Sequence, residues 1–417
     1  MLTNTVNVLK RGGSHLARKL CTVPEKGTEQ DVKSIWEDLY GLKPSRSPFR
    51  RLPSIKPPEK LLKKALKVAE VQEIPKRRKR HKTYKDVHRL NERHKIMTLR
   101  SMLVEPLDRD LKLFPKEQSL HEFERTVVQL CMNAENLKKY ECYDDLLERA
   151  SELQRRLHNH AKLQQEAVQN ASTRLDMTRI RQETFLSMKN SYANSLRLLL
   201  DLQSISGTLR RLQIPDVKLP TVLISGAPNV GKSSLVKKLS TATPEVSSYP
   251  FTTRQIIMGY FRIQNSTFQM MDTPGLLKRP LSERNDIEKL AIASLQHLQS
   301  VIVYVIDLTE DCGMSVEDQL ELRRDMKEQF LKPEQPWIDV LSKNDLKASY
   351  KKTGLYFKDV RSPTLISVLE ESGLKSLKAK FTDELVKFLT VDVGLSGEAV
   401  EAVECKPTLA ESEAKDI

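Results

Sequence analysis

From Lys116 to about Leu212 apolar residues recur every three or four positions; after Pro220 they come in short unbroken runs instead. Phe123, Val127, Leu130, Ala134 and Leu137 follow the helical spacing, and Phe185, Met188, Tyr192, Leu196 and Leu199 repeat it. That period puts one apolar stripe on each helix and predicts a small antiparallel bundle. No proline falls between 116 and 212, and no glycine before Gly207, so nothing interrupts these helices. "LQIPDVKLP" then ends the pattern, because Pro215 and Pro220 cannot continue a helix. Beyond it the runs predict strands near 221–226, 256–263, 266–272, 301–307, 337–341 and 364–367, with helices between them. "DIEKLAIASLQHLQ" is such a helix, with Ile287, Leu290, Leu295 and Leu298 on one face. Strands alternating with helices predict a doubly wound α/β domain, so the fold class is α + α/β, a helical bundle followed by that domain.

Composition divides the chain further. Residues 1–45 are poorly patterned, 46–115 are basic, 116–213 form the bundle, 214–392 the α/β domain, and 393–417 an acidic tail that reads as disordered. The 417 residues carry a net charge of +14, with 30% charged side chains, which favours a polyanionic partner and nucleic acid above all. No apolar run reaches transmembrane length; "SVIVYVIDL" is strand-sized. Five scattered cysteines, at 21, 131, 142, 312 and 405, support neither a disulfide framework nor a zinc site. The opening stretch has no acidic residue before Glu25 and sets Leu2, Val6 and Leu9 at helical spacing among Lys10, Arg11, Arg18 and Lys19. This suits a mitochondrial presequence, although a basic tail of another kind has the same composition.

Chemistry enters at "TVLISGAPNVGKSSLVKKLS", which runs strand, loop, helix. Gly226 to Ser233 matches G-x-x-x-x-G-K-[ST] at every fixed position. Such a loop turns backbone N–H groups, here those from Asn229, Val230 and Gly231 to Ser234, around phosphates at a helix N-terminus. Lys232 is placed to reach the β- and γ-phosphates and the Ser233 hydroxyl to bind Mg²⁺. Downstream, "FQMMDTPGLL" puts Asp272 at a strand end, where its carboxylate can hold the metal through water, and Gly275 where its N–H can sense a γ-phosphate. Between them lies "SSYPFTTRQ", in which Thr252 or Thr253 can cap Mg²⁺ only while a γ-phosphate is present. In this order the segments amount to a nucleotide switch.

From about Ile214 to Lys387 the chain resembles the Obg/Nog1 group of translation-factor-class GTPases, on "GAPNVGKSSLV", "YPFTTR" and "DTPGLLKRPLSERNDIE". With "DLTEDCGMSVEDQ" (307–319) the last of these is similar to Nog1 in particular, the nucleolar GTPase of large-ribosomal-subunit assembly. Nog1 proteins also carry a helical domain ahead of the G domain. The resemblance implies GTP/GDP and Mg²⁺ as cofactors, Thr253 as the metal-capping threonine of switch I with Thr252 as runner-up, and Asp272–Gly275 as switch II. It also implies that Ser367 and Val368, in "LISVLEESGL", offer backbone contacts to the base oxygen.

"VLSKNDL" departs by one letter from the guanine-reading Asn-Lys-x-Asp, since Ser342 stands first, ahead of Lys343, Asn344 and Asp345. Asp345 can accept hydrogen bonds from the guanine N1–H and N2–H₂, which adenine lacks, and Lys343 can lay its stem over the ring. The missing asparagine implies a loss of about 1 kcal/mol of nucleotide affinity, one neutral hydrogen bond. Where Ras-like enzymes orient water with glutamine, this chain has Leu276, so slow intrinsic turnover is expected. Asn229 is a substitute: in similar "PNVGKS" loops it helps hold K⁺ against the phosphates, although it can equally just shape the loop. The catalytic set is therefore Asn229, Lys232, Thr253 and Gly275. Arg254 and Arg284 flank the switches, where a structural role is the commoner one for an arginine.

"PKRRKRHKTYK", Pro75–Lys85, is too dense in charge to pack as one helix face. It reads as phosphate contacts to RNA, a localisation signal or a solvated run. These readings converge on a GTPase assisting large-subunit assembly in the mitochondrial matrix. Its expected partners are large-subunit rRNA and assembly intermediates, and the chain is expected to be monomeric when free. A plastid or nucleolar location, an Obg-like regulatory role, and an RNA-binding scaffold that binds GTP with little hydrolysis are the alternatives.

Overall fold

A computed structural model describes residues 47–75, 83–240, 245–247, 249–250, 256–263, 266–276, 283–332, 334–349, 360 and 362–393. The presequence-like start, the densest part of the basic run, and Thr252, Thr253 and Arg254 lie outside these residues. The first part is helical: α1 (Pro58–Val71), α2 (Tyr84–Leu111), α3 (Glu122–Ala134), α4 (Tyr143–Asn170), α5 (Arg174–Asn194) and α6 (Leu196–Arg211). Caps written in the sequence set where several of them begin. Thr83 and Thr173 accept from the N–H groups of Asp86 and Asp176, three residues on, and His121 forms a capping box with Glu124. Along α4, Leu146, Ala150, Leu153, Leu157 and Ala161 are buried at spacings of three and four, which gives α2 an apolar stripe to pack on.

One expected boundary has no counterpart in the packing. Residues 46–115 read as a basic segment separate from the bundle, yet Phe49, Leu62, Ala65, Ala69, Ile96, Leu99 and Leu103 are buried in one core with α3 to α6. In α2 the charged positions are interleaved with the apolar ones, Glu92 itself being buried and Arg89, Arg93 and Lys95 half-buried, so composition does not reveal the packed stripe. An ion network, buried at Arg181 and Glu92 and exposed at Glu70, ties the early helices to the later ones. Arg181 of α5 donates from Nε to Glu92 of α2 at 2.7 Å and from Nη1 to both carboxylate oxygens of Glu70 of α1 at 2.9 Å.

The second part is a seven-stranded sheet in the order β2-β3-β4-β1-β5-β6-β7. Its strands are β1 (Thr221–Gly226), β2 (Glu245–Ser247), β3 (Ile256–Ile263), β4 (Ser266–Asp272), β5 (Ser300–Asp307), β6 (Trp337–Ser342) and β7 (Thr364–Leu365). The pairs β2–β3 and β3–β4 are antiparallel, and the other four are parallel. The helices are α7 (Lys232–Leu239), α8 (Asp286–His297), α9 (Val316–Phe330) and α10 (Leu374–Val393). Every expected strand is present, although the one expected over 364–367 is a two-residue bridge; β2, three residues long, escaped the sequence reading. The parallel strands alternate by face: Val301, Val303 and Val305 pack with α7 and α10, while Ile302, Tyr304 and Ile306 join the core that continues into the bundle. Contact between α8 and α3 carries that continuity.

Arg181 allows the network to be tested. Its replacement by methionine fills similar volume but leaves Glu92, 4% exposed, with the Lys95 ammonium at 3.9 Å as its remaining ion partner among the described residues. Breaking one side of a buried pair costs about 3 kcal/mol or more. Arg181→Met should lower the unfolding free energy by about 3 kcal/mol in urea titrations, and Glu92→Gln in the same background should recover part of it.

Candidate functional site

The C-terminal ends of β1 and β4 lie side by side, with Ile224 opposite Asp272. The loop leaving β1 needs unusual backbone at three positions: φ is +140° at Gly226, +62° at Asn229 and +102° at Gly231. Two of the three are glycines, for which such angles cost no Cβ clash. A Cβ at Gly226 would also lie 2.5 Å from the Val305 carbonyl oxygen of β5. Val230 and Lys232 are buried, whereas Asn229, Ser233 and Ser234 are exposed at the mouth of the loop. The Lys232 ammonium donates to the Ala227 carbonyl at 2.6 Å, so the lysine curls over its own loop.

Asp272 faces this loop. The Ser233 hydroxyl makes a short hydrogen bond to Asp272 Oδ2, while buried Oδ1 has no partner. Burial pushes the Asp272 carboxyl above its ordinary range, against the Ser233 hydrogen bond and the Lys232 charge, which pull it down. One oxygen on a serine hydroxyl and one orphaned oxygen make a donor arrangement that a hard, oxygen-seeking cation fits. Beyond Asp272 the chain turns back on β1: Thr273 donates to the Ile224 carbonyl from its N–H (3.0 Å) and its hydroxyl (2.9 Å). Gly275 then passes so close to the phosphate-type loop that a Cβ would lie 2.9 Å from Pro228 N and Cγ. The next residue, Leu276, is fully buried in the core. Arg284 is turned inward as well, its guanidinium 5.4 Å from the centre of the Phe330 ring.

The guanine-type loop leaves β6. Ser342 is buried and donates its hydroxyl to the Ile306 carbonyl of β5 at 3.1 Å. The position that usually carries asparagine is thus attached to the neighbouring strand. Lys343 adopts a left-handed backbone, φ +56°, and its ammonium lies 2.7 Å from Asp307 Oδ2. The Asn344 N–H donates to the Ile366 carbonyl at 2.9 Å. Ser367, 22 residues further along than Asp345, donates its hydroxyl to Asp345 Oδ1 at 2.5 Å, and that hydroxyl accepts from the Glu370 N–H at 3.1 Å. The Ser367 N–H, expected to serve a base oxygen, instead donates to the Ser372 carbonyl at 3.1 Å. Its hydroxyl adds a side-chain tie between the two segments to the Asn344–Ile366 backbone bond, and Val368 next to it is half-buried.

The sequence reading passed over Asp307 and its loop as chemistry. Asp307 ends β5 with no exposed surface; Thr309 donates to its Oδ1 from N–H (2.9 Å) and hydroxyl (2.6 Å), and the Cys312 N–H to Oδ2 (3.2 Å). Burial raises the Asp307 carboxyl, but the Lys343 ammonium and the Thr309 donors outweigh it and hold the group below its usual range. Gln319 of α9 clasps the Asp307 backbone, accepting from its N–H at 2.9 Å and donating to its carbonyl at 3.0 Å. The usable signal was positional: an acidic residue at the end of the strand that neighbours the guanine-type loop.

Two family descriptions match the chain: the Nog1 N-terminal helical domain over residues 49–216, and nucleolar GTP-binding protein 1 over residues 286–345. An uncharacterised protein of Methanocaldococcus jannaschii is 35% identical over 289 residues, 69% of this chain and 79% of that protein. Nucleolar GTP-binding protein 1 of Encephalitozoon cuniculi is 37% identical over 189 residues, 44% of this chain and 35% of that protein. The Kluyveromyces lactis protein of the same name is 29% identical over 308 residues, 68% of this chain and 44% of its own. The chain thus spans well under two thirds of these two nucleolar relatives, 35% and 44% of their lengths.

Because folding raises the Asp272 pKa, the group favours the fold most below its unfolded value near 3.9, and that contribution is lost as pH rises through the folded value. At neutral pH in chelator the buried charge is therefore a cost. Asp272→Asn should raise the thermal unfolding midpoint in EDTA at about pH 7.5, and the gap should close at about pH 3, below the unfolded value, where wild-type Asp272 is protonated.

Proposed function

This chain belongs to the Nog1 family of GTP-binding proteins, and we propose that it is a GTPase assisting large-subunit assembly of the mitochondrial ribosome. The observation that carries the nucleotide reading is the meeting of Ser233 with Asp272 at a G-x-x-x-x-G-K-S loop, with the buried Asp272 Oδ1 left without a partner. In this reading the N–H groups from Asn229 to Ser234 cradle the phosphates, and Lys232 exchanges the Ala227 carbonyl for the β- and γ-phosphates. Mg²⁺ supplies neutralisation of the phosphate charge when bound, with Ser233, Asp272 and Thr253 as the residues that hold it. Gly275, pressed against Pro228, offers its N–H where a γ-phosphate ends. Asp345, steadied by Ser367, reads the guanine edge, with Lys343 and Asn344 beside it and the Val368 backbone offering a contact to the base oxygen.

Hydrolysis has a weaker basis in the chain itself. Leu276 is buried and apolar, so it cannot orient a water, and slow intrinsic turnover follows. Exposed Asn229, with φ +62°, is the P-loop residue in this reading that holds K⁺ against the phosphates. The net charge of +14 and the run Pro75–Lys85 support contacts to rRNA, with the bundle supplying shape. The free chain is monomeric in this reading, and no helix among the described residues is long and apolar enough to cross a membrane. The acid-free opening supports the mitochondrial matrix; the names of the nucleolar relatives support a second reading, in which the same machinery serves nucleolar large-subunit precursors. The burial of Leu276 supports a further one, a scaffold that binds GTP and barely hydrolyses it.

Crosslinking in cells, followed by purification of the tagged full chain from separated mitochondria and nucleoli, distinguishes the locations. Large-subunit precursor rRNA in the mitochondrial fraction is expected; recovery from nucleoli transfers the role there, and tRNA or no RNA overturns the assembly reading. Lys232→Ala should abolish GTP binding and assembly together, whereas intact assembly would leave the scaffold reading standing. GTP turnover should be several-fold faster in KCl than in NaCl, and equal rates would remove K⁺ from the account.

A further inference from the structure

We propose that Asp307 is a positioning residue for guanine nucleotide binding, acting through Lys343 and taking over the anchoring that an asparagine at 342 gives in the usual pattern. The inference rests on reading 342–345 as the guanine loop. Asp307 and Ser342 are partners in the parallel β5–β6 register, so the two strands end together and Lys343 emerges beside the Asp307 carboxylate. That carboxylate has no freedom to turn. Thr309 holds one oxygen through its N–H and hydroxyl, the Cys312 N–H and the Lys343 ammonium hold the other, and Gln319 fixes the backbone behind it. A second acidic contact, Asp311 Oδ2 at 3.6 Å from the same ammonium, is mostly exposed and reinforces the charge without being fixed in the core.

Lys343 is constrained from both ends: its backbone is left-handed at φ +56° and its ammonium is tied to a buried anion. The methylenes between are the part that would cover the base. A lysine stem loses more rotamer freedom on being ordered than almost any other side chain, so fixing it before the nucleotide arrives removes that loss from the binding step. Ser342 adds a second tie from the same loop to the same strand end, through Ile306. The guanine loop is therefore registered against β5 and the knot formed by residues 307–319.

A staple that merely keeps the loop folded would be insensitive to whether Lys343 has its charge, and a double-mutant cycle separates the two roles. Affinities of the full-length protein for fluorescent GDP, GTP and ADP analogues should be measured for Asp307→Asn, Lys343→Met and the pair. Each single change should weaken GDP and GTP about tenfold, 1.4 kcal/mol, and the pair should be no weaker than Lys343→Met alone. ADP should stay excluded in all three, because Asp345 is untouched. Unchanged GDP affinity in Asp307→Asn, or a double variant that loses the product of the two single effects, overturns the proposal. Should Asp307→Asn fail to fold, Thr309→Val decides: it keeps the ion pair but removes one donor that aims it. A several-fold loss in the wild-type background that vanishes with Lys343→Met supports the proposal, and no loss overturns it. A wild-type chain that binds GDP and ADP alike overturns the guanine-loop reading itself, whereas a discriminating wild type with insensitive Asp307 overturns this inference alone.

Discussion

The parallel register of β4, β1, β5 and β6 is the constraint from which the candidate site follows. Ile224 is level with Asp272, Gly226 with Val305, and Asp307 with Ser342, so four strands finish at one edge and release four loops beside one another. A slip of one residue in β5 would turn Ile302, Tyr304 and Ile306 to the opposite face and carry Asp307 away from Lys343. Gly226 makes the register tight: a side chain there would run into the Val305 carbonyl, so β1 can approach β5 only without one. Burial of all eight residues of β5 then holds the centre of the sheet by apolar packing on both faces.

That packing also decides how the two parts of the chain are joined. One face of the sheet belongs to a core shared with α7 and α10, while the other runs through α8 into the bundle. Tyr249, at the head of the "YPFTTR" segment, is buried in the second core and donates its hydroxyl to the Gln213 carbonyl, in the linker between bundle and sheet, at 2.9 Å. A displacement of Tyr249 would break that bond and open a cavity in this core, so Tyr249 itself is packed as part of the junction between sheet and helical domain.

The α/β half was legible because its signals are local. Apolar runs the length of a strand, set between proline or glycine breaks, gave β1 and β3–β6 nearly residue by residue, and the pairing of β1 with β4 sets Asp272 and Gly275 against the loop that carries Ser233. The helical half was legible in period but not in extent. In α2, Arg89, Arg93 and Lys95 are half-buried beside Ile96 and Leu99, and the charged positions hid the stripe from a reading based on composition. Ser367 gave no local sign of its role, since its contact with Asp345 bridges 22 residues and depends on β7 lying next to β6. Asp307 escaped for the same reason: the residues that explain it are neighbours across strands, and spacing along the chain does not encode them.

The same geometry treats the proposed binding groups and Leu276 differently. The groups assigned to binding are tied to one another across strands: Ser233 to Asp272, Asp345 to Ser367, Lys343 to Asp307. Donors and acceptors held in this way reorganise little when a ligand arrives, which is where electrostatic preorganisation is most effective. The position that would aim a water has gone the other way, because Leu276 contributes its side chain to the core. Restoring a polar residue there would remove that packing and bury an amide among apolar neighbours unless the backbone moved. The folding requirement at Leu276 therefore opposes a built-in water-orienting group.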